Sequence, residues 1–68
     1  MTARLIRINE VTSKTGLTRS RIYQYISEDK FPTSVSLGGR SVAWVESEVD
    51  KWIENVISQR DSNILYGY

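Results

Sequence analysis

The sequence predicts a mainly α fold with a small β-hairpin. Two short segments with helical apolar spacing are separated by a turn containing Gly16, which is typical of a helix-turn-helix. Two alternating segments then flank Gly38 and Gly39 and predict the hairpin. A longer segment after Ser47 repeats apolar residues at helical spacing and indicates an amphipathic helix. With 68 residues, these elements form one small domain.

The first helix is predicted from its ends. Arg4–Arg7 forms a short, apolar-centred segment that we expect to be extended. Asn9 is the expected N-cap of a helix over residues 10–15, because its side chain can accept a backbone N–H. Gly16 is expected to end this helix in the left-handed conformation.

The second helix is predicted over residues 19–28, with Thr18 as its N-cap. Pro32 lies shortly beyond its end and cannot continue it. Three apolar side chains share one face of this helix and are expected to pack in the core: Ile22, Tyr25 and Ile26.

The hairpin is predicted to turn at Gly38 and Gly39, with Arg40 at its tip. The third helix is expected to have Ser47 as N-cap, with Asp50 three residues later as in a capping box. Its apolar stripe, which we expect to be buried, consists of Val49, Trp52, Ile53, Val56 and Ile57.

This third helix is expected to end near Arg60. Residues 1–60 then form the domain, and residues 61–68 form a C-terminal tail. Three apolar side chains of the tail are candidates for packing on the core or on a second copy: Ile64, Leu65 and Tyr66.

Composition excludes several function classes. The chain has no Cys and no His, so the commonest general base and the commonest metal ligands are missing. We therefore predict no enzyme activity, no metal site and no cofactor. No apolar run approaches the length of about 20 residues that crosses a bilayer. The prediction is a cytoplasmic protein with no membrane contact.

Charge is distributed unevenly along the chain. Residues 1–45 contain seven Lys and Arg against three acidic residues, whereas residues 46–68 contain two against five. This asymmetry suggests that the first part of the chain faces a polyanion.

The second helix begins with cations where a helix normally favours acids. Arg19 and Arg21 occupy its first turn, against the positive end of the helix dipole. A bound phosphate would remove this penalty, and Arg and Gln24 also have the chemistry that reads guanine and adenine. Ser20 shares the exposed face. The alternative is that both arginines are solvated charges near Glu28 or Asp29.

Four further residues leave alternatives open. Arg40 at the hairpin tip could enter a minor groove, or it could belong to an ordinary surface turn. The hydroxyl of Tyr23 could donate to a phosphate, or its ring could pack beside the hairpin. Trp44 and Trp52 are expected in the core, with stacking on nucleic-acid bases as the alternative.

The segments TGLTRSRIYQYI and FPTSVSLGGRSVAWVESEVDKWI resemble the AlpA-like prophage regulators over about Ile6–Ile57. These are small winged helix-turn-helix proteins related in fold to MerR-type domains and excisionases. Similar proteins often have Thr where this chain has Arg21 and Arg where it has Gln24, so their DNA target should not be transferred. The resemblance implies DNA contacts by the second helix and the wing: Arg19, Ser20, Arg21, Tyr23, Gln24, Arg40 and Ser41.

The predicted function is therefore sequence-specific binding of double-stranded DNA by a small prophage-type transcriptional regulator. The second helix would occupy the major groove, and the wing would contact the adjacent backbone or minor groove. Further copies of the chain, an integrase or RNA polymerase are candidate partners. One alternative is an excisionase that organises integrase on attachment-site DNA. Another is an adaptor that docks an acidic protein partner.

Overall fold

The computed structural model describes the backbone of residues 3–65 and the side chains of residues 3–62. It confirms a mainly α winged helix-turn-helix, with one strand more than a simple hairpin. The elements in chain order are β1 (Leu5–Ile6), α1 (Ile8–Thr15), α2 (Arg19–Ser27), β2 (Val35–Gly38), β3 (Ser41–Val45) and α3 (Glu46–Leu65).

The three strands form one antiparallel sheet in the order β1-β3-β2. The segment that we expected to be extended supplies β1, which pairs Leu5 with Val45 and Ile6 with Trp44. The sheet therefore ties the start of the chain to the hairpin. Its central strand carries Trp44 into the core, where the side chain is fully buried.

The core lies between the sheet and the three helices. Its buried members are Ile6, Val11, Ile22, Phe31, Trp44 and Val49. The indole N–H of Trp44 donates to the carbonyl of Pro32 at 3.1 Å, and that of Trp52 donates to the carbonyl of Lys30 at 2.8 Å. Both tryptophans thus satisfy their one polar atom while packing against or within the core, as predicted.

The cap of α1 differs from the prediction. The helix begins at Ile8, and Arg7 is its N-cap without a side-chain hydrogen bond. The carbonyl of Arg7 accepts from the N–H groups of Glu10 and Val11 at 3.0 and 3.1 Å. Asn9 is therefore inside the helix, and its predicted capping role is wrong. Ile8, which packs against the core, is the first residue of the helix, so the helix begins one residue before Asn9.

The other two caps of the helix-turn-helix are confirmed. Gly16 has φ +76° and donates its N–H to the carbonyl of Thr12 at 2.8 Å. The hydroxyl of Thr18 accepts the N–H of Arg21 at 3.1 Å, which caps α2.

The hairpin turns one residue later than predicted. Gly38 pairs with Ser41, so the turn residues are Gly39 and Arg40. Both glycines have positive φ, at +103° and +56°, a region that other residues rarely adopt. A bulge between Ser36 and Gly38 shifts the register and moves the turn. Arg40 lies at the tip, as predicted.

The predicted ends of α3 are both wrong. The helix follows β3 directly and begins at Glu46, so Ser47 lies inside it and is not the N-cap. It continues past Arg60 to Leu65, which makes residues 61–65 of the predicted tail helical. No Gly or Pro occurs between residues 46 and 66 to stop it.

The predicted apolar stripe of α3 is buried only along its first half. Val49 is fully buried, and Trp52 and Ile53 are partly buried against the core. Val56 and Ile57 are 42% and 44% exposed, because they lie on the part of α3 that extends beyond the core. The packing predicted for the side chains of Ile64, Leu65 and Tyr66 lies outside the described residues.

Candidate nucleic-acid interface

The exposed face of α2 brings together five of the predicted site residues. Ile22 anchors the helix with its side chain fully buried. The opposite side is open to solvent and carries Arg19, Ser20, Arg21, Tyr23 and Gln24. The three-residue turn Gly16–Thr18 fixes the direction of this helix against α1.

The N-terminal end of α2 is electropositive. Its first turn contains no acidic residue, and Thr18 satisfies the N–H of Arg21. The first N–H groups of a helix have no partner within it, and the helix dipole adds positive charge there. Arg19 and Arg21 add two further charges, so this end of the helix is suited to an anion.

The two arginines have different supports. The guanidinium of Arg19 donates to the side-chain oxygen of Asn9, which joins the starts of α1 and α2. The guanidinium of Arg21 lies 5.8 Å from the ring centre of Tyr25, a cation–π distance. Within residues 3–62 neither arginine makes an ion pair, so the alternative that both are solvated surface charges stays open.

Glu28 has other partners. Its carboxylate accepts from Gln24 Nε2 at 3.3 Å and pairs with Lys30 Nζ at 3.3 Å. The hydrogen bonds from Gln24 and then from Lys30 lower the pKa of Glu28 below its ordinary value, with a smaller attraction from Arg21. The amide of Gln24 is thus held along the helix by Glu28, four residues later.

Tyr23 packs beside the sheet. Its ring centre lies 6.2 Å from that of Trp44, at an angle of 57°, and the residue is 49% exposed. The packing alternative is therefore observed, and a phosphate contact by the hydroxyl stays a prediction.

The wing carries Arg40 at its turn and Ser41 at the start of β3, and both are exposed. Val35 and Leu37 on β2 are also exposed, at 40% and 46%. The wing therefore presents apolar side chains near Arg40. Val35 and Leu37 alternate with Ser34 and Ser36 in the sequence, and this pattern did not predict their exposure.

Ion pairs reduce the number of available cations in the first part of the chain. Arg4 pairs with Glu10 at 3.0 Å, and Lys14 pairs with Asp50 at 2.8 Å. Both also bind Glu46.

These contacts stabilise the charged forms. Attraction to Glu10 and then to Glu46 raises the pKa of Arg4. Hydrogen bonds to Asp50 and then to Glu46 raise the pKa of Lys14. The arginines of residues 3–45 without an ion pair in the described structure are Arg7, Arg19, Arg21 and Arg40.

Sequence reasoning missed two polar residues at the start of α1. Asn9, treated as a cap, instead holds Arg19 from across the turn. Arg7 is an exposed cation at the start of α1 that the prediction did not include. No local pattern signals the Asn9–Arg19 contact, because it joins residues ten apart on two different helices.

Other kinds of site find no support in the described residues. Within residues 3–62, whose side chains are described, there is no cluster of Asp and Glu side chains able to hold a metal ion. None of the three helices described there is both long and apolar enough to cross a membrane.

Comparison with known proteins adds a family match. The family described as Prophage CP4-57 regulatory protein (AlpA) matches residues 4–57. The chain is 47% identical over 57 residues to the uncharacterized protein ORF88 of Enterobacteria phage P4, covering 84% of the chain. It is 36% identical over 56 residues to the DNA-binding transcriptional activator AlpA of Escherichia coli (strain K12), covering 74% of the chain.

These matches cover different shares of the relatives. The chain spans 65% of the phage relative, just under two thirds of its length, and 80% of the Escherichia coli relative. No solved structure matches the chain significantly.

Proposed function

The chain belongs to the AlpA family of prophage regulatory proteins, and we propose that it is a transcriptional regulator that binds double-stranded DNA sequence-specifically. The observation that carries the proposal is the start of α2, where two exposed arginines meet a helix N-terminus without an acidic neighbour. The name of the Escherichia coli relative, a DNA-binding transcriptional activator, supports it. The family description names a regulatory protein, which is not a class of enzyme.

In this proposal α2 enters the major groove with its N-terminal end foremost. Arg19 and Arg21 bind phosphate or pair with guanine, and Gln24 pairs with adenine. Ser20 adds a hydroxyl on the same exposed face. Reading by Gln24 requires that its amide leave Glu28, a contact of 3.3 Å at an exposed site.

The wing contacts the DNA beside α2. Arg40 is carried to the tip of the hairpin by a turn that depends on the positive φ of Gly39. From there its guanidinium reaches the adjacent backbone or minor groove, and Ser41 adds a hydroxyl. Tyr23 braces the helix against the sheet through Trp44.

The salt dependence of binding tests this proposal. If Arg7, Arg19, Arg21 and Arg40 neutralise about four phosphates, log Kd should change with log salt with a slope of about 3.6. Affinity would then fall about a hundredfold between about 50 and 200 mM salt. Arg21→Ala should weaken binding and reduce the slope by about 1.

Lys51→Ala is the matched control, because Lys51 is an exposed cation on α3, a helix that supplies none of the proposed contact residues. It should bind as the wild type does. A flat salt dependence, or an Arg21→Ala variant equal to Lys51→Ala, would overturn the DNA proposal and favour the adaptor. Mapping the bound sites to promoters or to an attachment region separates a regulator from an excisionase.

A further inference from the structure

Arg21 and Tyr25 lie one turn apart on α2, and their side chains meet. The guanidinium carbon of Arg21 lies over the ring of Tyr25, 5.8 Å from the ring centre. Side chains four residues apart share one face of a helix, so the ring is within reach of Arg21. The contact gives one direction to a long side chain that otherwise has many rotamers.

The domain holds Tyr25 in place. Tyr25 is partly buried against the core and lines a groove with Trp52 and Ile53 of α3. Its carbonyl accepts the N–H of Lys30 at 2.8 Å, and the carbonyl of Lys30 accepts the indole N–H of Trp52 at 2.8 Å. Arg21, which is exposed, therefore contacts a residue whose backbone and side chain are both anchored.

The contact leaves the hydrogen-bond donors of Arg21 available. A guanidinium has five N–H groups that point outward in its plane, whereas an aromatic ring attracts a cation through the ring face. Among the side chains of residues 3–62, no carboxylate pairs with Arg21. Its guanidinium can therefore bind a phosphate or the edge of a guanine without first leaving Tyr25.

Arg19 is held in a different way. Its guanidinium donates to the side-chain oxygen of Asn9 on α1. Arg19 and Tyr25 are six residues apart on α2, beyond the three- or four-residue spacing that makes side chains neighbours on a helix. A change at Tyr25 should therefore act on Arg21 and not on Arg19.

We propose that Tyr25 is a positioning residue for DNA binding, because its ring holds the guanidinium of Arg21 in the direction in which Arg21 binds DNA. The inference rests on the proposed function. A side chain that is already ordered loses less conformational entropy when it binds, so the ring raises affinity without itself contacting the DNA. A cation–π contact at an exposed site corresponds to about a two- to fivefold effect.

Binding of the full chain to a fluorescent duplex, selected by the wild type from a random-sequence pool, tests the proposal. Tyr25→Leu removes the ring but keeps an apolar side chain beside the core, and it should weaken binding about threefold. Tyr25→Phe keeps the ring and should retain the affinity of the wild type. A Tyr25→Leu variant that binds as tightly as the wild type or more tightly, or a Tyr25→Phe variant as weak as Tyr25→Leu, would overturn the proposal.

The two arginines separate positioning from a general loss of structure. In an Arg21→Ala background, Tyr25→Leu should have no further effect on affinity, because the side chain that the ring positions is absent. In an Arg19→Ala background, Tyr25→Leu should still weaken binding about threefold. An equal loss in both backgrounds would show a merely structural role and contradict the proposal.

A measurement on the wild type decides the matter if circular dichroism shows that Tyr25→Leu does not fold. The ring current of Tyr25 should shift the NMR signals of the Arg21 δ-methylene protons upfield, both in the free chain and in the DNA complex. Absence of this shift, or its loss on DNA binding, would refute the positioning role. Failure of the proposed function is a separate result, in which the wild type selects no duplex or Arg21→Ala binds as Lys51→Ala does.

Discussion

The starts of α2 and α3 differ in how they are capped and in the sign of the charges in their first turns. α2 has a capping hydroxyl on Thr18 and two arginines in its first turn. α3 follows a strand directly, with no loop before it, and has Glu46 and Glu48 in its first turn. Acids at a helix start are favoured by the dipole, and cations are not.

The partners of these charges explain the difference. Glu46 is bound by Arg4 at 2.6 Å and by Lys14 at 3.1 Å, so the start of α3 is neutralised within the chain. The arginines of α2 have no carboxylate partner among the described side chains. The first arrangement serves folding. The second leaves both arginines exposed without a carboxylate partner, which is the observation on which the proposed DNA contact rests.

The largest effect should come from making α2 resemble α3. Replacing both Arg19 and Arg21 by Glu should lower DNA affinity by about a hundredfold or more, because two attractions become repulsions. Thermal stability should hold or rise, since acids suit a helix start. Fluorescence anisotropy with a labelled duplex measures the first, and a thermal melt the second. Retained affinity in the folded variant would remove α2 from the interface.

Removing the cap tests which helix start depends on a hydroxyl. Thr18→Ala should destabilise the domain by about 1 kcal/mol, because the N–H of Arg21 loses its acceptor. For a domain of this size the Tm should fall by about 4–8 °C. Ser47→Ala is the matched control and should change little, because Ser47 lies inside α3. Equal losses would contradict the cap assignments.

Asn9→Ala should separate binding from stability. Loss of the Asn9 oxygen releases the guanidinium of Arg19, and DNA affinity should fall about threefold. Stability should not fall, because Ala favours the interior of a helix. Asn55→Ala on α3 is the control for both measurements. If Asn9→Ala leaves affinity unchanged, Asn9 does not position Arg19 on DNA.

The smallest effect concerns pH at the start of α3. The pKa of Lys14 is raised in the folded chain, so its contribution is complete below the unfolded value of about 10.4. That contribution is lost as pH rises through the higher folded pKa. Denaturation by urea at neutral and strongly alkaline pH should show a smaller loss of stability for Lys14→Met than for the wild type. Lys51→Met should behave as the wild type does.

Patterns of a few neighbouring residues predicted most of the helix-turn-helix. The apolar spacing around Ile22, the left-handed Gly16 and the Thr18 cap are each decided by local chemistry, and each is confirmed. The exposed set on α2 follows from the same spacing, because the face opposite a buried stripe points to solvent.

What the sequence alone did not predict depends on contacts between distant segments. β1 exists because Leu5 and Ile6 meet β3, about 40 residues later. Ser47 matched a capping pattern, but β3 runs directly into α3 and leaves no position for a cap. The exposure of Val56 and Ile57 depends on where the body of the domain ends, which spacing along one helix cannot show.

The bulge in the wing also affects how well the open edge of the sheet could pair with another chain. β2 is an edge strand of the sheet, and all four of its residues are exposed, including Val35 and Leu37. An open, apolar edge is a template on which a neighbouring chain can add a strand and begin to aggregate. The irregular register between Ser36 and Gly38 interrupts that template after two paired residues. We therefore expect the bulge to make the edge of the wing a poorer template for a strand of a neighbouring chain.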